Sequence, residues 1–465
     1  MSKPILLPHQ DSMAPPPPRP HDAHVPDIEI LNPQHYCPTR QATLVSATFA
    51  LVATIVGGGI LSIPLAFEKC GLVLATILIL LSIVTTDFSL YILCSVSRRT
   101  GAGSYLEACR VAFGTGLEFA VTTMLFVFLL FVICAYMVLI RDIWTPIVLL
   151  MARPFFTTTD TGSEASPSAS GDASEKTLGD AVLLFIVIII SPFLLKKDLH
   201  ALRYNCYLGF ASITLLCLSM AYRASQKLAA GDVDIKLWPD SLTDVLFAYP
   251  IPILAFMCHF NAIGVQASLA NPTRARVRKV IDGSMLISGI ITYALGLFGY
   301  MWGGSSTQGN ILLNFDFADN VILVGRVGCG ITIMLASAMI TLPCRESMLS
   351  LRSFYAEWRE AKADASIVEP TVSSSTYGAV NTSEDEEIQP KEAGEAESNI
   401  SDNAENRFVH FLSTFVIVAV CYIGAVAAPG VATVWSICGC MMAFLIAFIL
   451  PSLIYVKIRA AKKGH

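Results

Sequence analysis

Three consecutive glycines and a proline interrupt an apolar run at Thr54-Ile55-Val56-Gly57-Gly58-Gly59-Ile60-Leu61-Ser62-Ile63-Pro64. In a helix interior glycine costs about 1 kcal/mol and proline about 3 kcal/mol relative to alanine, so this stretch is expected to unwind. Unwound backbone at membrane depth is tolerated only inside the protein or along a wet cavity. There its free amides and carbonyls can hold a carboxylate and an amine. Thr54, Gly57, Gly58, Gly59 and Ile60 are therefore the first candidate binding residues. The glycines also suit close helix packing, and that reading stays open.

A matching interruption follows at Tyr249-Pro250-Ile251-Pro252-Ile253, then Phe256-Met257-Cys258-His259-Phe260-Asn261-Ala262-Ile263-Gly264. Phe256, His259 and Asn261 join the candidates. A histidine in lipid is costly and should face the bundle interior, where it can touch a ligand, relay protons or hydrogen-bond a neighbouring helix. Asp87 sits about 15 Å of helix inside the Arg98-Arg99 boundary. An intramembrane carboxylate is a candidate proton or ion relay, and a structural hydrogen bond is the competing role.

The elements that must position these residues are membrane helices. Hydrophobic residues make up 54% of the 465 and charged ones 14%, far below the roughly 25% charged content of a soluble domain. Ten apolar segments are expected, at about 43–67, 72–96, 117–140, 178–196, 204–222, 244–267, 282–302, 322–344, 408–428 and 431–457. Each can cross a hydrocarbon layer of roughly 30 Å. The two interruptions fall in segments 1 and 6, five apart, which suggests an inverted repeat of five plus five.

The formal charge of −5 says less than where the charge sits. Arg98, Arg99 and Arg110, then Lys196, Lys197 and Arg203, then Arg274, Arg276, Arg278 and Lys279 occupy alternate connections, and Lys457, Arg459, Lys462 and Lys463 join the same side. Both termini are thereby assigned to the cytoplasm. The chain divides into a disordered Pro- and His-rich tail (1–40), segments 1 to 8 (41–351), an acidic Ser-rich cytoplasmic loop (352–407), and segments 9 and 10 with a basic tail (408–465). The connection from Arg153 to Lys176 reads as a flexible Ser/Thr/Gly spacer. The acidic loop, around Glu384-Asp385-Glu386-Glu387, is a possible docking site for regulatory partners or simply a solvated segment.

Several classes are excluded. Most of the 13 cysteines lie in apolar runs and read as small packing residues. No Cys-x-x-Cys or Cys/His spacing supports a metal, and no resident cofactor is expected. Nothing points to nucleic acid; the expected surroundings are the lipid bilayer. An intramembrane enzyme would need convergent His, Asp, Ser or Cys groups, and only His259 and Asp87 present themselves.

With these residues in view, the chain resembles the amino acid/auxin permeases, in the branch holding sodium-coupled neutral and vacuolar amino acid transporters. The resemblance rests on Gly57-Gly58-Gly59-Ile60-Leu61-Ser62-Ile63-Pro64 with Gly71, on Cys258-His259 with Asn271-Pro272 and the basic run that follows, and on Leu342-Pro343-Cys344-Arg345. It spans almost the whole membrane region. It implies an all-α integral membrane protein of the APC-type five-plus-five inverted-repeat fold, with substrate held where segments 1 and 6 are broken. It also implies alternating-access transport of an amino acid, neutral by default, in the plasma membrane, a vacuolar or lysosomal membrane, or another endomembrane. An amino acid sensor signalling through the cytoplasmic loop is the alternative. In sodium-coupled members an Asn precedes the glycines, where Ala53 stands here, and a hydroxyl in segment 8 falls on Ala336 with Ser337 beside it. The coupling ion is thus H+ or Na+, with Asp87 and Ser337 as candidate coupling residues.

Overall fold

The first span starts where the Oγ1 of Thr43 accepts from the amide of Ser46 at 3.2 Å, satisfying one of the free donors of a helix start. In the computed structural model, which describes residues 40–156, 170–195, 205–317, 319–367 and 392–461, this cap opens α1 (Leu44–Ile55). A short 3-10 turn (Gly58–Ser62) leads into α2 (Ile63–Thr100), which carries Pro64 in its first turn, where the missing amide costs no helical hydrogen bond. Within α2 the chain turns at Gly71, whose φ of 73° suits only glycine. A side chain there would meet the backbone of Trp238 at 2.6 Å, and the same 236–238 segment accepts from the amides of Leu72 and Val73.

The chain continues through α3 (Tyr105–Phe113), α4 (Thr115–Phe156), α5 (Ser170–Leu194) and α6 (Asn205–Ala229). Three short helices follow, α7 (Leu242–Ala248), α8 (Pro250–Ala255) and α9 (His259–Ser268), and then α10 (Arg274–Gly303). The last membrane elements are α11 (Asn320–Ile367), α12 (Glu392–Ala427), α13 (Val431–Cys438) and α14 (Leu450–Ala461), with π turns between the final two. No β-strand is present among the described residues; the nearest thing is a bridge between Ala42 and Leu269, which ties the start of α1 to the end of α9.

Nine helices among the described residues are long and apolar enough to cross a membrane, with Leu44–Ile55 as a shorter apolar helix. The sequence suggested ten segments. The count is nine because the span from Gly58 to Thr100 joins two helical stretches across the kink at Gly71, which separates the expected first and second segments. Large exposed side chains such as Phe185, Leu218, Val324 and Phe415 belong on a lipid-facing surface rather than a water-facing one.

The sequence also predicts an amphipathic continuation of the eighth segment over Leu351 to Ala361, and the structure extends it further. The helix that begins at Asn320 continues to Ile367, and the next begins at Glu392, so much of the expected 352–407 loop is helical. The Ala-, Glu-, Lys- and Arg-rich run after Tyr355 consists of good helix formers, which continue a helix past the apolar core. The tail up to residue 39, residues 157–169 and the acidic run at 384–387 lie outside the described residues.

Candidate functional site

At the first interruption α1 stops at Ile55, Val56 (ψ 69°) leaves the helix, and Gly57 is extended. The glycines let helix α4 come close. A Cβ on Gly57 would lie 3.0 Å from the Tyr136 hydroxyl, and one on Gly58 would lie 2.8 Å from Leu139 and 2.9 Å from the Tyr136 ring. Gly59 is under no such constraint, its nearest neighbour being the Ala255 Cα at 4.0 Å. At the second interruption α8 ends at Ala255, Phe256 to Cys258 leave helical geometry, and the helix resumes at His259. The prolines at 250 and 252 fit the first positions of α8, where a missing amide is tolerated.

The two interruptions face one cavity of about 390 Å³. Its deep end is closed by Tyr136, 8% exposed, which meets Trp435 edge-on with centroids 6.1 Å apart. Its other end reaches Asn205 and Cys206 at the start of α6 and Met339, Ile340 and Pro343 on α11, the side that the basic residues assign to the cytoplasm. Near this mouth Asn261 donates to the Thr54 hydroxyl at 3.1 Å. Among the described residues, the lining contains no Asp, Glu, Lys, Arg or His.

The polar equipment is therefore backbone and neutral side chains. The turn at Gly58 starts with no side-chain cap, and the first amides of such a turn lack helical partners; that of Gly58 donates to the Tyr136 hydroxyl. Ala255, on the cavity wall, ends α8, where the last carbonyls of a helix lack helical partners. The Trp435 indole nitrogen and the Asn205 Oδ1 are buried without a hydrogen-bond partner. Such orphaned groups on a cavity wall suit a small polar ligand.

Of the candidates read from sequence, Thr54, Gly57, Gly58, Gly59 and Asn261 line the cavity. Ile60, Phe256 and His259 are not among its lining residues and are fully buried. Each lies at the turn where helix resumes or ends, so the winding rotates it into the protein core. The His259 ring packs edge-on against Phe448 at 6.3 Å, and neither of its nitrogens has a hydrogen-bond partner. Ser337 turns its hydroxyl onto the Met334 carbonyl at 2.7 Å, leaving Ala336 to face the cavity. Asp87 lies away from the cavity and pairs with Arg278 at 2.8 Å. Asn205, Thr332 and Trp435 were not legible as site residues. Tyr136 carried only the weak signal of an aromatic at mid-span.

A second cavity of about 420 Å³ opens at the opposite end of α4 and is lined by Arg141, Asp142 and Lys176 among others. Arg141 donates to Asp180 and to the Ala425 carbonyl, both at 3.2 Å, and so joins α4, α5 and α12. Nearby, Arg326 is 2% exposed and donates to the carbonyls of Leu312 and Phe315 at 2.8 and 3.1 Å, pinning the 304–317 connection.

The fold and site define a multi-pass α-helical membrane protein with a solute-sized cavity at its centre. The family model described as transmembrane amino acid transporter protein matches residues 40–464, and the chain belongs to this family, which comprises transporters rather than enzymes. Vacuolar amino acid transporter 6 of Saccharomyces cerevisiae is 24% identical over 437 residues, covering 90% of each chain. Vacuolar amino acid transporter 5 of the same yeast is 25% identical over 426 residues, 89% of this chain and 88% of that one. A Mus musculus protein provisionally named sodium-coupled neutral amino acid transporter 11 is 24% identical over 304 residues, which is 65% of this chain and 63% of the mouse protein.

Proposed function

We propose that this protein is a secondary active transporter of neutral amino acids working by alternating access. One observation carries the reading: the cavity lies where two helices are interrupted and, among the described residues, is lined by no charged side chain. A zwitterion entering it meets the backbone of the Gly57–Gly59 turn and the carbonyl end of α8, the kind of interrupted backbone that holds a carboxylate and an ammonium in broken-helix carriers. The space left for the side chain is apolar, with Phe128, Ile213, Phe260 and Ile333 on its walls. A charged side chain would be desolvated there without a partner, which is strongly unfavourable.

In this reading α1 with the turn after it and α7 to α9 are corresponding broken helices of a five-plus-five inverted repeat. The conformation is the inward-facing one, since the cavity extends toward the cytoplasmic ends of α6 and α11 and is shut on the other side by Tyr136 and Trp435. The driving gradient is protons or sodium. Ala53 and Ala336 present methyl groups to the cavity, a poor oxygen supply for sodium, so Asp87 is the residue to test for proton coupling. Purified protein in liposomes should take up radiolabelled neutral amino acids under an imposed proton or sodium gradient. No uptake under either gradient overturns the proposal. Asp87→Asn should abolish the pH dependence of uptake, and an unchanged profile assigns Asp87 to its ion pair with Arg278 alone.

A further inference from the structure

Away from the cavity, at the end of the bundle that carries the amino terminus, three guanidinium groups gather round one tyrosine. The centres of Arg98, Arg274 and Arg278 lie 5.9, 5.7 and 5.3 Å from the Tyr91 ring centroid. Cation–π attraction of this kind holds like charges together that would otherwise spread apart. Arg278 is further fixed by Asp87 and Asp282, at 2.8 and 2.7 Å, and remains 41% exposed on its side chain. A planar guanidinium presents several donors in a rigid fork that matches a phosphate.

Below this cluster the surface changes character. On α2 the face that carries Asp87 and Tyr91 continues one and two turns into the membrane as Val84 and Leu80, 64% and 54% exposed. On α10 the face that carries Arg278 and Asp282 continues as Leu286 and Ile290, 64% and 61% exposed. The two helices run antiparallel and close together, because Gly289 leaves room for Ile83. The result is a shallow apolar track between α2 and α10 capped at the membrane boundary by guanidinium groups.

We propose that this track binds an anionic phospholipid of the cytoplasmic leaflet, its phosphate held by Arg274 and Arg278 over Tyr91 and its acyl chains lying along Val84, Leu80, Leu286 and Ile290. Charge complementarity selects the occupant, because anionic headgroups are attracted to arginines at this depth. The apolar track selects a lipid over a soluble phosphate. The assignment is independent of the transported substrate, and it shares Arg278 with the ion pair of Asp87.

Native mass spectrometry of full-length protein extracted from vesicles of phosphatidylcholine with phosphatidylserine tests it. Wild-type protein should retain phosphatidylserine in preference to phosphatidylcholine. Arg274→Gln, at an exposed position, should lower that retention about fivefold, and Arg274→Gln with Arg278→Gln about thirtyfold. Arg274→Lys should keep most of it, which separates loss of charge from loss of fold. Equal retention of the two lipids by wild-type protein overturns the proposal, as does unchanged retention in the double variant. Displacement of the bound lipid by inorganic phosphate alone also overturns it.

Discussion

Two cavities lie at opposite ends of one stretch of α4, Tyr136 in one and Arg141 in the next, and they are lined by opposite chemistry. Among the described residues the inner cavity carries no charged side chain, whereas the outer one gathers Arg141, Asp142 and Lys176. Formal charges need partners when taken from water, and in the outer cavity the partners are already present, as Arg141 is spent on Asp180 and the Ala425 carbonyl. In the inner one two neutral side-chain atoms, the Trp435 indole nitrogen and the Asn205 Oδ1, are buried without a partner. The difference suits the proposed division, an outer region that holds helices together and an inner one open to a neutral ligand.

The largest expected effect comes from breaking the inner site at the position with least room. Gly58→Val drives a side chain into Leu139 and Tyr136, where even a Cβ would sit under 3 Å away. Overpacking of this kind costs ~1–3 kcal/mol, so uptake should fall between about fivefold and 150-fold at equal protein level. Gly59→Ala, with open space, should stay within about twofold. Equal losses in both variants would mean that the glycines act through helix unwinding alone rather than through the fit to α4.

Arg141→Met tests the other half of the comparison. Leaving Asp180 without its partner should lower thermal stability by roughly 1–3 kcal/mol, read by thermal unfolding in detergent, while the affinity for a neutral amino acid in calorimetry stays the same. A matching fall in affinity would place Arg141 in the binding machinery and undo the division between the cavities. A smaller change is expected at the inner mouth. Asn261→Ala removes the hydrogen bond to Thr54, worth ~0.5–1.5 kcal/mol, and should raise the apparent KM up to about tenfold with little change in maximal rate.

How much of this was legible beforehand depended on the physics of each residue. Gly57 to Gly59 and Pro64 announce an interruption by their cost in a helix, so the first half of the site was visible. Thr54 and Asn261 share the cavity because they sit on the two interrupted spans. His259, Phe256 and Ile60 are equally close in sequence, yet helix winding turns them into the core, and rotation about an irregular turn cannot be read from spacing. Trp435 and Asn205 come from α13 and α6, and only the packing of distant helices brings them to the wall. The end of α11 follows different physics, and a helical continuation over Leu351 to Ala361 was legible. Hydropathy marks where lipid ends, whereas helix propensity carried the chain on to Ile367.

The smallest effect concerns a contact outside the membrane core. The Arg223 guanidinium, 2.7 Å away, holds the Asp319 carboxyl below its ordinary range. A carboxylate depressed in the folded state contributes stability that is present above its unfolded pKa of about 4 and lost as pH falls through the folded value. The stability difference between wild-type protein and Arg223→Met should therefore be constant above about pH 5 and shrink on further acidification. A difference that grew on acidification would contradict this sign.

The most direct test of the uncharged cavity is a competition panel in proteoliposomes. Uptake of a radiolabelled neutral amino acid is measured against excess unlabelled neutral, cationic and anionic amino acids, under whichever gradient drives it. A cavity lined only by neutral groups predicts saturable uptake that other neutral amino acids suppress and that lysine and glutamate leave unchanged. Transport or full competition by lysine or glutamate would contradict it, because no residue on the cavity wall could then balance the charge being carried.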